Sequence, residues 1–268
     1  DYSLTALAAD TGYDAAELAR WVRAVERKGQ AVFYGPPGTG KTFVAQKLAA
    51  HLAGGGDGLI ELVQFHPAYA YEDFMQGIRP FTTPTGALTY DMVDGRFRQF
   101  CRHAQQRQGT SVFIIDEINR ANVAAVFGEL MYLLEYRDQD IPLAGGGRFR
   151  IPANVRLIGT MNTADRSIAL VDFALRRRFH FFRFAADPDL FDRWLARQPS
   201  AVPYLGALYR RLATEAVDDP DFAIGPAVFM RELDEARLAR LWRRSVMPYL
   251  EEYYFDQPAR ARLWAWEG

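Results

Sequence analysis

The chain is nearly without cysteine. Cys101 stands alone among 268 residues, which excludes an internal disulfide framework and fits a reducing compartment. It also lacks a charge bias: 32 Lys and Arg against 33 Asp and Glu leave a net charge of −1. No global basic field exists to hold a nucleic acid, so any DNA contact has to be local or made by another chain. Four histidines and the one cysteine are scattered without metal-ligand spacing, which argues against zinc. No apolar run approaches the roughly 18 residues that a membrane span needs. The opening residues DYSLTALAAD carry neither a basic segment nor a long apolar core, so no secretory leader is expected and the expected location is the cytoplasm. Repeats and low-complexity segments are also missing.

What is present is packing material. The chain is 49% hydrophobic and 14% aromatic, enough for one or two folded domains. Asp14 with Glu17 three residues on predicts a capped helix bearing Leu18, Val22 and Val25, and Gly29 suits its end. Apolar runs predict buried strands at 31–34, 60–65, 112–116, 155–161 and 179–184. Between them, Val44, Leu48 and Leu52 predict a helix over 42–53, and Val123, Phe127, Leu130 and Leu134 predict one over 122–135. Strands alternating with helices argue for a parallel α/β sheet. Residues 78–98 and 138–151 break the rhythm and predict two hairpins, the second around Gly145-Gly146-Gly147. From Pro188 the pattern turns helical, with Pro248 expected to interrupt the stripe Leu238, Leu241, Trp242 and Val246. The expected division is 1–184 and 185–268.

Residues 35–42, GPPGTGKT, match G-x-x-x-x-G-K-[ST] between a predicted strand and a predicted helix. Such a loop turns backbone N–H groups inward and adds a helix N-terminus, which together cradle phosphate. Gly35, Pro37, Gly38, Thr39, Gly40, Lys41, Thr42 and Phe43 form the expected nucleotide contact. Lys41 is expected at the β- and γ-phosphates, and the Thr42 hydroxyl at Mg²⁺. In SVFIIDEINRAN, Asp116 and Glu117 end a buried strand, a costly place for two carboxylates unless they are used or paired. Asp116 is expected with Thr42 in the Mg²⁺ shell, and Glu117 as the group that polarises water. In FALRRRFHFF, Arg176, Arg177 and Arg178 precede a strand. An arginine finger drawn from them and donated to a neighbour would be worth roughly 10³–10⁵ in rate.

One stretch is ambiguous. VRLIGTMNTADRS ends an apolar run in polar residues, and Asn162-Thr163-Ala164-Asp165 has the spacing of the Asn-Lys-x-Asp box that reads guanine in small GTPases. Thr163 in place of the Lys weakens that reading.

Together GPPGTGKT, DEINRAN, MNTADRS and DFALRRRF resemble the McrB-type AAA+ GTPase motors of modification-dependent restriction systems, and FHPAYAYEDFMQG and FAIGPAVFM are similar to further stretches of that family. DEINR is shared with MoxR-type ATPases, whereas MNTADRS followed by LRRRF is the discriminating part. The resemblance implies an AAA+ P-loop NTPase core with sheet order 5-1-4-3-2, flanked by helices and hairpin insertions, and a small α-helical lid at 185–268. It implies GTP, or ATP, with Mg²⁺; a hexameric homo-oligomer; and a nuclease partner of the McrC type. DNA would be reached through another domain or partner, and no membrane is involved. Asn162 becomes a hydrolysis sensor, Asp165 and Arg166 supports of the subunit interface, and Arg176 or Arg177 the finger. Three departures stand out: the chain starts almost at the motor, so the module that recognises modified DNA is expected either outside this segment or on another protein; Pro226 replaces a His of many relatives; and the lid shows no second-sensor arginine. A MoxR-like remodelling ATPase and a weakly hydrolysing nucleotide-bound scaffold are the alternatives. Phe65 and Phe74 are expected to pack, with Tyr69 and Tyr71 open to either role. Trp194, Trp242, Trp264 and Trp266 are expected in or on the lid core, and residues 3–13 near the base.

Overall fold

The computed structural model describes residues 2–164, 173–198 and 200–266. The chain divides into two compact units. Asp1–Phe33, Thr42–Met161 and Arg166–Phe182 make up the first; Tyr34–Lys41, Asn162–Asp165 and Arg183–Gly268 make up the second.

Two helices open the chain, α1 (Leu4–Thr11) and α2 (Ala15–Lys28). Asp14 caps α2 by accepting from the N–H groups of Ala16 and Glu17, and Gly29 closes it at φ 83°. The buried stripe is Leu18, Trp21 and Val25; Trp21, not Val22, fills it. β1 (Gln30–Gly35) leads to α3 (Lys41–Ala53) and then to β2 (Ile60–Gln64). A short α4 (Tyr71–Phe74) precedes the hairpin β3 (Gln76–Thr82) and β4 (Leu88–Asp94), followed by α5 (Arg96–Ala104). β5 (Ser111–Asp116) ends at the acidic pair. After it come α6 (Val123–Phe127), α7 (Leu130–Leu133) and the two-residue strands β6 (Ile141–Pro142) and β7 (Arg148–Phe149). β8 (Val155–Asn162), α8 (Phe173–Arg178) and β9 (His180–Arg183) complete this part.

The main sheet runs β2-β5-β8-β1-β9. Counted over these five strands alone, that is the order 5-1-4-3-2. β2 and β8 both pair with β5 in parallel, with Ile60 opposite Val112 and Ser111 opposite Val155. The order corrects one expectation. β2 is an edge strand whose Ile60 is 46% exposed and Leu62 37%; an edge is covered less completely than the centre, where β5 and β8 are buried nearly throughout. β9 lies at the other edge, and Phe182 is its one buried residue.

The helix expected over 122–135 is two short ones. Gly128 separates α6 from α7 at φ 50°, ψ −127°, and a Cβ there would press on the Tyr71 ring at 3.2 Å. The apolar spacing survives the break, since Phe127, Leu130 and Leu134 are all buried. Phe65 and Phe74 are fully buried, with Phe74 stacked 4.9 Å from Phe97. Tyr69 stacks on Phe65, and burial pushes its phenol up to about 12. The Tyr71 hydroxyl donates to Glu129 at 2.6 Å. Cys101 is buried.

The second unit's helices are α9 (Pro188–Arg197), α10 (Leu205–Glu215), α11 (Glu235–Leu241), α12 (Met247–Tyr253) and α13 (Pro258–Arg262). Phe191, Tyr209, Phe229 and Trp242 form its aromatic core, with Trp194, Trp264 and Trp266 packed against it. Pro248 does not interrupt the helical path as expected. Trp242–Val246 form a π-helical turn between α11 and α12, and this wider winding relieves the clash and the missing N–H that proline brings to a regular helix. Among the described residues no helix is long and apolar enough to cross a membrane.

Candidate nucleotide-binding site

Within the second unit, the phosphate loop is built by Gly35 to Lys41. The buried Lys41 donates from Nζ to the carbonyls of Gly35 at 3.0 Å and Pro36 at 2.6 Å. Thr39, also buried, donates to Pro36 O at 3.0 Å. The loop is backed by the 225–228 turn: Gly225 N–H donates to Pro37 O at 2.9 Å and Ala227 N–H to Gly38 O at 2.8 Å. The approach is so close that a Cβ on Gly225 would lie 2.2 Å from the Gly38 carbonyl carbon and 2.3 Å from Thr39 N. Gly38 itself has φ +73° and faces Val228, so glycine is required on both sides of this contact.

The end of β8 joins the same loop. Thr163 N–H donates to Gly35 O at 3.1 Å, and its hydroxyl donates to Asp221 O at 2.9 Å. That explains a threonine where a guanine-reading box has lysine: the side chain is spent on the chain itself. Asn162, half-buried, precedes it. Asp165 and Arg166 lie outside the described residues.

Within the first unit, a second cluster surrounds Asp116. Its Oδ1 accepts from the hydroxyls of Thr42 at 2.6 Å and Thr160 at 2.5 Å. Thr160 is buried and accepts in turn from Glu117 N–H at 3.2 Å. Glu117 adopts φ 54°, ψ 45°, the left-handed conformation, and no other non-glycine residue described has positive φ. Such a backbone costs about 1–3 kcal/mol and persists where the surroundings enforce it. Arg120 Nε lies 3.5 Å from Glu117 Oε2. The donor set fits Mg²⁺: a hydroxyl and a carboxylate are hard oxygens, and this ion takes one or two carboxylates plus phosphate oxygens instead of a closed protein cage. Among the described residues no group of three or more His, Cys, Asp or Glu side chains could hold a metal ion.

The three arginines separate. Arg178 donates from Nε to Met131 O at 2.7 Å and pairs with Glu135 at 3.1 Å. Arg176 and Arg177 are exposed, the former over the Phe181 ring at 5.7 Å. Phe43 is exposed, with Lys47 Nζ 5.4 Å from its ring. The N-terminal segment is anchored on α3, through His51 Nδ1 and Tyr2 O at 2.8 Å and Lys47 with Asp10 at 2.5 Å. Thr160, Gly225 and the bonding of Thr163 escape a reading of motifs. Thr160 had a weak signal, a hydroxyl inside the apolar run LIGTMN; the Gly225 contact had none.

A parallel sheet in this order, with a phosphate loop after its first strand and an acidic pair after its third, defines a P-loop NTPase of the AAA+ arrangement. Residues 30–179 match the AAA domain (dynein-related subfamily), and residues 202–262 match the McrB alpha-helical lid domain. The chain therefore belongs to the AAA+ family and is of the McrB type. It is similar to the type IV methyl-directed restriction enzyme EcoKMcrB subunit of Escherichia coli (strain K12), 39% identical over 263 residues, which cover 88% of this chain and 56% of that one. It is also similar to the type II restriction enzyme BsuMI component YdiS of Bacillus subtilis (strain 168), 27% identical over 189 residues, which cover 56% of this chain and 55% of that one. The chain thus spans about half the length of these relatives.

Proposed function

We propose that the chain hydrolyses a nucleoside triphosphate, GTP in preference to ATP, as one subunit of a hexameric ring. The ring drives a nuclease partner of the McrC type in restriction of modified or foreign DNA. The observation that carries hydrolysis is the Asp116 cluster: Thr42, Asp116 and Thr160 hydrogen-bonded in series, with Glu117 next along the backbone. Guanine preference, ring and partner rest on the family's motif set; the restriction role rests on the relatives' own activities.

In this reading Gly35, Pro37, Gly38, Thr39, Gly40 and Lys41 hold the phosphates, with Thr42 and Phe43 continuing into α3. Lys41 exchanges loop carbonyls for phosphate oxygens, which bind an ammonium more strongly. Thr42 and Asp116 hold Mg²⁺, which neutralises charge on the transferring phosphoryl group. Glu117 takes the proton of the attacking water, and Asn162 orients that water through its side-chain amide. Arg176 or Arg177 serves a neighbouring subunit's nucleotide. Arg178 is tied into its own subunit.

The deciding measurement is turnover of GTP and ATP, each with and without a candidate nuclease partner. GTP turnover that exceeds ATP turnover and rises with the partner is expected. Hydrolysis of neither, at high protein concentration with the partner present, would refute the reading. Asn162→Ala is expected to bind nucleotide within about twofold of wild type and to lose about tenfold in kcat, the scale of one hydrogen bond. Loss of guanine selectivity with turnover kept would instead make Asn162 a base reader.

A further inference from the structure

Gln30, the first residue of β1, is fully buried, an uncommon place for a carboxamide. Its amide is used on both sides. Nε2 donates to Leu134 O at 2.6 Å and Arg178 O at 2.7 Å. Oε1 accepts from Arg137 Nε at 3.2 Å and Nη2 at 3.0 Å. Arg137 also donates to Gly29 O at 2.8 Å and Val155 O at 3.3 Å. Among the described residues it makes no ion pair, and its acceptors are neutral. Burial, helped by the nearby Arg156, brings its guanidinium down to about 10, so it stays charged at neutral pH. A half-buried cation held only by neutral acceptors is costly, yet it fixes the orientation of the Gln30 amide: with Oε1 committed to two N–H groups, Nε2 must point at Leu134 and Arg178.

The other end of this network is α8. The last carbonyls of a helix lack intrahelical partners. Here Arg178 O is satisfied by Gln30 and Arg177 O by Lys28 Nζ at 3.0 Å, residues about 150 positions earlier in the chain. The Arg178 side chain adds its own bonds to Met131 and Glu135. α8 is thereby gripped at its backbone and at its third arginine, while Arg176 and Arg177 stay exposed.

We propose that Gln30, held in orientation by Arg137, is the positioning residue that presents Arg176 and Arg177 to the nucleotide of a neighbouring copy of the chain. The inference rests on the reading that a neighbour's arginine completes each site. A purely stabilising role for Gln30 would lower the unfolding temperature but leave activity per folded subunit unchanged, or would impair the variant's own nucleotide binding.

The test is complementation in mixed assemblies. Gln30→Met, of similar length but unable to hydrogen-bond, is expected to lose about tenfold in kcat for GTP, with KM and nucleotide affinity within about twofold. Mixed with an excess of Glu117→Gln subunits, which keep Gln30 and the arginines, it should recover most of the turnover of wild type mixed at the same ratio. The double variant Arg176→Ala/Arg177→Ala, treated alike, probes the underlying reading. If the double variant is not rescued, that reading falls and the inference with it. If the double variant is rescued and Gln30→Met is not, or if Gln30→Met keeps full kcat, only the inference falls. Should Gln30→Met fail to fold, Gln30→Asn, whose shorter amide cannot span Arg137 and Arg178 together, takes its place under the same readouts.

Discussion

Glu117→Gln is expected to lower nucleoside triphosphate turnover by about 10²–10⁴-fold, the range for a lost general base, with nucleotide affinity within about threefold of wild type. The substitution is nearly isosteric, so the left-handed backbone at φ 54° and the N–H bond to Thr160 are kept. What goes is the ability to take a proton, along with the ion pair to Arg120. The Thr42–Asp116 contact does not involve this side chain, so phosphate and Mg²⁺ binding should persist and nucleotide should be trapped. Single-turnover kinetics beside an equilibrium titration separate the two quantities. Turnover within threefold of wild type would remove Glu117 from the chemistry and favour a nucleotide-bound scaffold.

Gly225→Ala is the second large effect, and it makes no change to any group that touches substrate in the proposed reaction. A methyl group there would sit 2.2–2.3 Å from the Gly38 carbonyl and Thr39 N, distances that backbone atoms resolve only by moving apart. Forced overpacking costs about 1–3 kcal/mol, and the strain falls on the loop whose N–H groups must converge on phosphate. Affinity is expected to drop roughly 5–150-fold. Ala227→Gly, which keeps the N–H bond to Gly38 O, is the mild control. Unchanged affinity in Gly225→Ala would show that the contact yields without consequence to the phosphate loop.

The motifs were readable because their chemistry is local. GPPGTGKT is a contiguous eight-residue pattern, and Asp14 caps α2 from within one turn. Strand positions were readable from apolar runs, but their exposure was not. Ile60 and Leu62 carry the same signal as Ile114 and Ile115, and only the sheet order puts the first pair at an edge and the second at the centre. The single helix expected over 122–135 failed for a related reason: periodicity reports which residues turn inward, and a glycine kink at 128 leaves that count intact. At Pro248 the local rule was overridden by a π turn that the aromatic core around Trp242 accommodates.

Asn162 and Thr163 show where the two sources of information part. The sequence by itself carries a P-loop motif, an acidic pair and a polar strand end, and Thr163 in place of the lysine weakens the guanine-box reading. Only the tertiary structure decided what that threonine does: one bond to Gly35 and one to Asp221. It likewise divided three adjacent arginines into one that is tied down and two that are exposed, and set Gly225 against Gly38. Each of these depends on segments tens to nearly two hundred residues apart meeting at hydrogen-bond distance. Such meetings follow from strand order and packing, which no local spacing encodes.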